Sequence, residues 1–180
     1  QHPDASRVAL RANLRVLSLI RLGRFDDAAA LVPKLRSQDA EWPTRLLAMR
    51  PRISAIRNGT ELPDPIRDGW AYYDCGQIRL YERNYDEAVA WFKRAGLRDG
   101  WAVWGAAAAA NTGDRMGRVW FRDWLGLQRK SLEQNPGSTR DQLQKFHAWP
   151  AFDPVREDPA WKKLWAEYDA LLKRARELTW

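Results

Sequence analysis

Apolar residues recur at intervals of three and four along most of the chain, with Arg, Glu, Lys and Gln between them, and β-branched residues never alternate over a strand length. That periodicity predicts helices throughout and no strand. The first helix is expected from Ala5 to Leu22. Leu10, Leu14 and Leu17 form one stripe, with Val16, Leu19 and Ile20 on the flank beside it, a surface broad enough to be packed on two sides. Gly23 ends this helix, and Phe25, Ala28, Leu31, Val32 and Leu35 begin another at once, so residues 5–37 read as a tight helical hairpin.

An extra helix is expected over 44–57, where Pro51 should kink or split it. NGTELPDP, residues 58–65, is the clearest loop. A second hairpin, 66–95, joins a helix from Ile66 to Tyr81 to one capped by Asn84 with Glu87 three residues on; Tyr85, Ala88, Val89, Phe92 and Ala95 make its buried stripe. After GLRDG (96–100) comes a third hairpin, 100–134, turning at Asn111-Thr112-Gly113-Asp114. The closing segment, 138–178, holds a short helix from Ser138 or Thr139 to His147, the irregular AWPAFDPVRED, and a final helix with Asp158 as N-cap and Pro159 in first position. Its apolar face is Trp161, Leu164, Trp165, Tyr168, Leu171, Leu172 and Ala175.

Composition changes the picture mainly by exclusion. With 180 residues, 45% of them hydrophobic, the chain suits one compact domain or a short solenoid. The lack of a run of about 18 apolar residues excludes a membrane-spanning helix. Thirty Lys and Arg against 23 Asp and Glu leave a net charge of +7, but the basic residues are scattered rather than massed. Together with eleven tryptophans that charge defines a rival class, an RNA or single-stranded nucleic-acid binder that stacks bases on rings. Cys75 is the single cysteine, which rules out an internal disulfide and a cysteine-based zinc cluster. The start QHPDASRVAL has neither an initiator Met nor an apolar signal segment, as expected of an excised or processed piece residing in the cytoplasm.

The residues suggest no chemistry. Cys75 has no neighbouring His to lower its thiol pKa. His2 and His147 form no zinc motif or triad, and no Gly-rich phosphate loop is present. Asp26-Asp27 and Asp86-Glu87 fall in first turns of helices, where they complement the dipole. No catalytic residue, metal or cofactor is expected, and the chain is expected not to be an enzyme.

The hairpins repeat. GRFDDAAALVPKL (23–35) and RNYDEAVAWFKRA (83–95) align without a gap, and Gly113 opens a poorer third copy; the offsets are 60 and 30 residues, the longer taken to include the extra helix. The second hairpin, WAYYDCGQIRLYERNYDEAVAWFKRA, resembles a tetratricopeptide repeat through Tyr72, Gly76, Tyr85, Ala88 and Ala95. The first hairpin matches through Gly23, Phe25 and Ala28 but has Val16 where the family has a small residue; the third keeps Gly105, Ala106 and Ala109 but has Arg118 near such a place. AFDPVREDPAWKKLW (151–165) is similar to the closing segment of many bacterial tetratricopeptide modules, which sit C-terminal to signalling domains such as adenylate cyclases, protein kinases or winged-helix regulators.

The resemblance implies an all-α fold over 1–180, with antiparallel helical hairpins stacked as a short tetratricopeptide-like α-solenoid and a C-terminal capping helix. It implies a non-enzymatic scaffold in a larger bacterial regulatory protein, holding a peptide or partner protein in a concave groove lined by the first helices. Transferred to this chain, that face comprises Asn13, Leu17 and Arg21, then Trp70, Tyr73, Gln77 and Tyr81, then Val103, Trp104 and Asn111. The Lys and Asn pattern that clamps a terminal carboxylate is missing, so that peptide class is not expected; dimerising the parent is a further role open to such a module. In WAVWGAAAAANTGDRMGRVWFRDW (101–124), the ring spacings send Trp101, Trp120 and Trp124 into the hairpin packing around five alanines, and the alignment turns Trp104 to the groove.

Overall fold

The computed structural model describes residues 3–63, 70–97 and 99–179, and every regular element among them is helical. In chain order these are α1 (Pro3–Arg21), α2 (Phe25–Ala29), α3 (Ser37–Met49), α4 (Ile53–Arg57), α5 (Ala71–Tyr81), α6 (Tyr85–Ala95), α7 (Ala102–Ala110), α8 (Met116–Gln134), α9 (Pro136–His147) and α10 (Lys162–Glu177). Two compact units divide the chain at 91/92.

In the first unit α1 buries Val16, Leu19 and Ile20 and leaves Leu14 56% exposed, so over residues 11–21 this helix is packed on its flank rather than on both sides. The helix after the first turn is short. A proline ring clashes with the carbonyl four residues before it and offers no N–H; for Pro33 that carbonyl is Ala29, where α2 ends and a 3₁₀ turn, Val32–Lys34, takes over. The helix expected from Thr44 starts earlier, at Ser37, and carries Pro43 inside it. Pro51 lies in the 3₁₀ turn Arg50–Arg52 that separates α3 from α4, which is the expected split. α3 packs on both α1 and α5. The proposed start of the next helix, at Ile66, lies outside the described residues. Asn84 stands just before α6, its amide donating to the Glu87 carboxylate at 2.9 Å.

Helices α3, α5, α7 and α9 begin at 37, 71, 102 and 136, intervals of 34, 31 and 34 residues. α3 and α4 therefore stand where the two helices of a hairpin would, and the 60-residue offset between the aligned sequence copies spans two intervals rather than one hairpin with an insertion.

The aligned copies also turn alike. At the end of α1, Gly23 N–H bonds Ile20 and Arg24 N–H bonds Leu19; at the end of α5, Arg83 N–H bonds Leu80 and Asn84 N–H bonds Arg79. Both are the paired bonds of a Schellman cap, which needs a left-handed residue. Gly23 supplies it at φ 73°, whereas the second copy forces Arg83 to φ 61°. An L-residue pays roughly 1 kcal/mol for that conformation. Arg83→Gly is expected to raise stability by about 0.5–1 kcal/mol in a denaturant titration.

The second unit is built on the hairpin of α7 and α8. Ala106 to Ala110 are all buried, and a Cβ at Gly105 would fall 2.6 Å from the Trp120 ring, so the two helices approach closely. Trp120 and Trp124 are buried in that hairpin as expected, but Trp101 is 47% exposed because it lies in the 3₁₀ turn Asp99–Trp101 before α7. α9 starts two residues early, at Pro136, because the Asn135 side chain caps it by accepting from Ser138 N–H at 3.1 Å. Asp158 caps the chain leading to α10 by accepting from Ala160 N–H at 2.8 Å, and the whole apolar stripe from Trp161 to Ala175 is buried. Among the described residues, no helix is long and apolar enough to cross a membrane.

Candidate functional site

The residues expected to face a partner fall into two settings, one in each unit. In the first, α5 is buried nearly all round, because α3 lies along it: Tyr73, Asp74, Gln77 and Tyr81 are 3, 0, 2 and 7% exposed. The polar groups so enclosed are satisfied in cis. Trp42 Nε1 donates to Gln77 Oε1 at 3.3 Å, and Gln77 Nε2 donates to the Tyr73 hydroxyl at 2.8 Å. Arg45 grips Asp74 with two hydrogen bonds, Nε to Oδ2 at 2.7 Å and Nη2 to Oδ1 at 3.2 Å. Burial pushes the Asp74 carboxyl above the ordinary aspartate range, and the Arg45 bonds pull against it. Burial likewise raises the Tyr73 and Tyr81 hydroxyls, with Arg21 bonding Tyr81 and acting in the opposite direction.

Asn13 reaches from α1 to α3, its amide 3.4 Å from Asp39 Oδ1. Leu17 is half-buried, while Arg21 and Trp70 are exposed. The structure thus brings Asn13, Arg21, Tyr73, Gln77 and Tyr81 into contacts within this unit. Tyr73, Gln77 and Tyr81 are engaged inside it and present no free surface, a correction to the groove drawn from the resemblance. The reason is α3, read in the sequence as an extra helix apart from the hairpins and found packed between α1 and α5.

In the second unit the 3₁₀ segment Pro150–Val155 packs on α7. Val103 is fully buried. Asn111 donates from Nδ2 to the Ala107 and Ala151 carbonyls, both at 2.8 Å, so it ties that segment down. Trp104 is half-buried, its ring edge-on to Trp149 at 4.9 Å and to Phe146 at 5.8 Å. Val103 and Asn111 therefore serve packing and loop anchoring rather than a groove. The closing motif explains itself in the same terms. Phe152 is buried at 0%, the Val155 carbonyl accepts from Trp165 Nε1 at 3.0 Å, and Arg156 lies 5.1 Å over the Trp165 ring while pairing with Asp153 at 3.0 Å.

Cys75 is buried at 0%, and burial, followed by the adjacent Asp74 charge, pushes its thiol up to about 12. A thiolate is the reactive form. Native protein at pH 8 is therefore expected to resist iodoacetamide over times in which urea-unfolded protein is fully alkylated, a contrast read by intact mass. Among the described residues, no three of His, Cys, Asp and Glu are grouped to hold a metal ion. His147 lies 3.8 Å from Asp169 on the surface; His2 lies outside the described residues.

Sequence reasoning missed a different concavity. Arg118, Arg122, Gly126 and Arg129 of α8 face Ala160, Lys163, Leu164 and Glu167 across a groove of about 500 Å³. The signal was present in the sequence as cations spaced four and seven apart on one helix, but the partner face on α10 could not be paired with it by periodicity alone. No protein-family model, curated protein or solved structure matches the chain.

Proposed function

We propose that the chain is a tetratricopeptide-like α-solenoid module, non-enzymatic, that binds a protein or peptide partner within a larger regulatory protein. The observation that carries this reading is the recurrence of first helices from α3 onward at 34, 31 and 34 residues, with α3 packed against both α1 and α5. A tetratricopeptide hairpin has a period of about 34 residues, and stacked hairpins bury a shared core while leaving extended faces for other chains. With Tyr73, Gln77 and Tyr81 buried, the partner face proposed for the first unit uses exposed positions instead, Leu14 at 56%, Trp70 at 47% and the exposed Arg21.

A random peptide library selected on the full chain tests the reading. Enriched peptides are expected to lose at least about tenfold in affinity on the double variant Leu14→Ser/Trp70→Ala, which removes exposed groups and leaves the thermal transition in place. Enrichment of no sequence over an unrelated helical protein would overturn the binding role. Unchanged affinity would overturn the assignment of this face.

A further inference from the structure

We propose that the groove between α8 and α10 binds an acidic, extended peptide segment, through Arg118, Arg122, Arg129 and Lys163, over a floor opened by Gly126. The inference rests on the reading of the chain as an interaction module and gives one partner its chemistry. Residues 92–180 hold sixteen Lys and Arg against eleven Asp and Glu, five of the chain's seven excess positive charges. Within the groove the imbalance is sharper. Arg129 pairs with Glu167, but among the described residues no carboxylate pairs with Arg118, Arg122 or Lys163. Three uncompensated cations converging on one concavity raise the local potential for an anionic ligand.

Spacing selects the kind of anion. At 1.5 Å per residue, Arg118 and Arg122 are about 6 Å apart along α8, and Arg118 to Arg129 spans roughly 16 Å. A small dianion cannot reach along that row. In an extended peptide, side chains on one edge recur about every 6.7 Å, so acidic residues at alternate positions match the first two arginines and continue toward the third. Guanidinium forks hold carboxylates in two-point hydrogen bonds. A single-stranded nucleic acid also carries spaced anions, but it takes its affinity from rings that stack on its bases, and the lining of this groove has none.

Gly126 supplies an independent observation. A glycine inside a helix costs about 1 kcal/mol relative to alanine, and here packing does not require it: a Cβ at this position meets nothing within 4 Å. Its effect is to leave the α8 backbone open at the middle of the groove, between Arg122 and Arg129.

The test uses the full chain and an octapeptide of alternating glutamate and serine at low salt, with the lysine–serine octapeptide and an oligouridylate of equal charge as comparators. The glutamate peptide is expected to bind with an affinity that falls as salt rises, and the lysine peptide not to bind. Arg118→Ala/Arg122→Ala should weaken it about a hundredfold, roughly tenfold for each arginine. Gly126→Met should weaken it by at least tenfold while leaving the thermal transition unchanged or higher, a combination that a merely structural glycine would not give. Equal binding by wild type and both variants would overturn the proposal, as would tighter binding of the oligouridylate at the same residues. If the glutamate peptide fails while library peptides still bind and respond to Leu14→Ser/Trp70→Ala, this groove alone is lost; if both fail, the interaction reading falls with it.

Discussion

Trp124→Ala is expected to destabilise the 92–180 unit by about 4 kcal/mol, the usual scale for emptying a large aromatic site in a core. Trp124 is fully buried, stacked on Phe121 at 5.8 Å and on Tyr168 at 6.0 Å, and it meets Phe146 edge-on at 5.4 Å. Those rings come from α8, α9 and α10, so one deletion loosens three helices at once. Aromatic pairs of this kind add to simple area burial. The Tyr168 hydroxyl donates to the Leu143 carbonyl, which fixes that ring and limits how far the site can collapse. Hydrogen exchange should locate the effect: amides of α8, α9 and α10 should lose protection together. Loss confined to α8 would mean that the ring cluster does not act as one core.

Arg45→Ala is the expected counterpart in the first unit, with a loss of about 3 kcal/mol at pH 7. Removing one partner of a buried ion pair leaves the other charge uncompensated, which costs roughly 3–5 kcal/mol. The lower end applies because the Arg45 side chain is 36% exposed while Asp74 is 1% exposed. The pH dependence has a definite sign. Asp74 already has a raised pKa in the folded state through burial, and removing Arg45 raises it further. A group raised on folding contributes stability at low pH that is lost as pH rises through the folded-state value. The gap between Arg45→Ala and wild type should therefore narrow as the pH falls and Asp74 becomes protonated. Asp74→Asn in the Arg45→Ala background should recover most of the loss at pH 7. A gap that does not change with pH would show that Arg45 acts through its alkyl packing rather than through Asp74.

The helices and their breaks were legible because their causes are local. Gly23, Asn135-Pro136 and Asp158-Pro159 act within a turn of chain, and the final stripe from Trp161 to Ala175 has the period of one helix buried on one side. The apolar pattern overstates the length of α2 because the 3.6-residue period continues through Leu31, Val32 and Leu35, while Pro33 vetoes the hydrogen bond that the pattern needs. The face of α5 was not legible. Nine of its eleven residues are buried, so no polar side marks which way it turns. Tyr73, Gln77 and Tyr81 look equally suited to a groove or to the contacts they make, Gln77 with Trp42 of α3 and Tyr73, and Tyr81 with Arg21 of α1. The full extent of the helices over 37–57 was hidden for a related reason, since α4 is only five residues long and two prolines interrupt the period. The α8–α10 groove needs two helices far apart in sequence to face each other, a fact about packing that no single helix carries.

The most direct test of the central claim, that these consecutive hairpins present a surface for a segment of another protein, is hydrogen exchange of the full chain with and without a library-selected peptide. The account predicts added protection in a contiguous set of amides on α1 and the start of α5, or on α8 and α10 for an acidic peptide, with the turns at 22–24 and 111–114 unchanged. A bound peptide that protects no helix, or a chain on which no peptide is enriched, would contradict it.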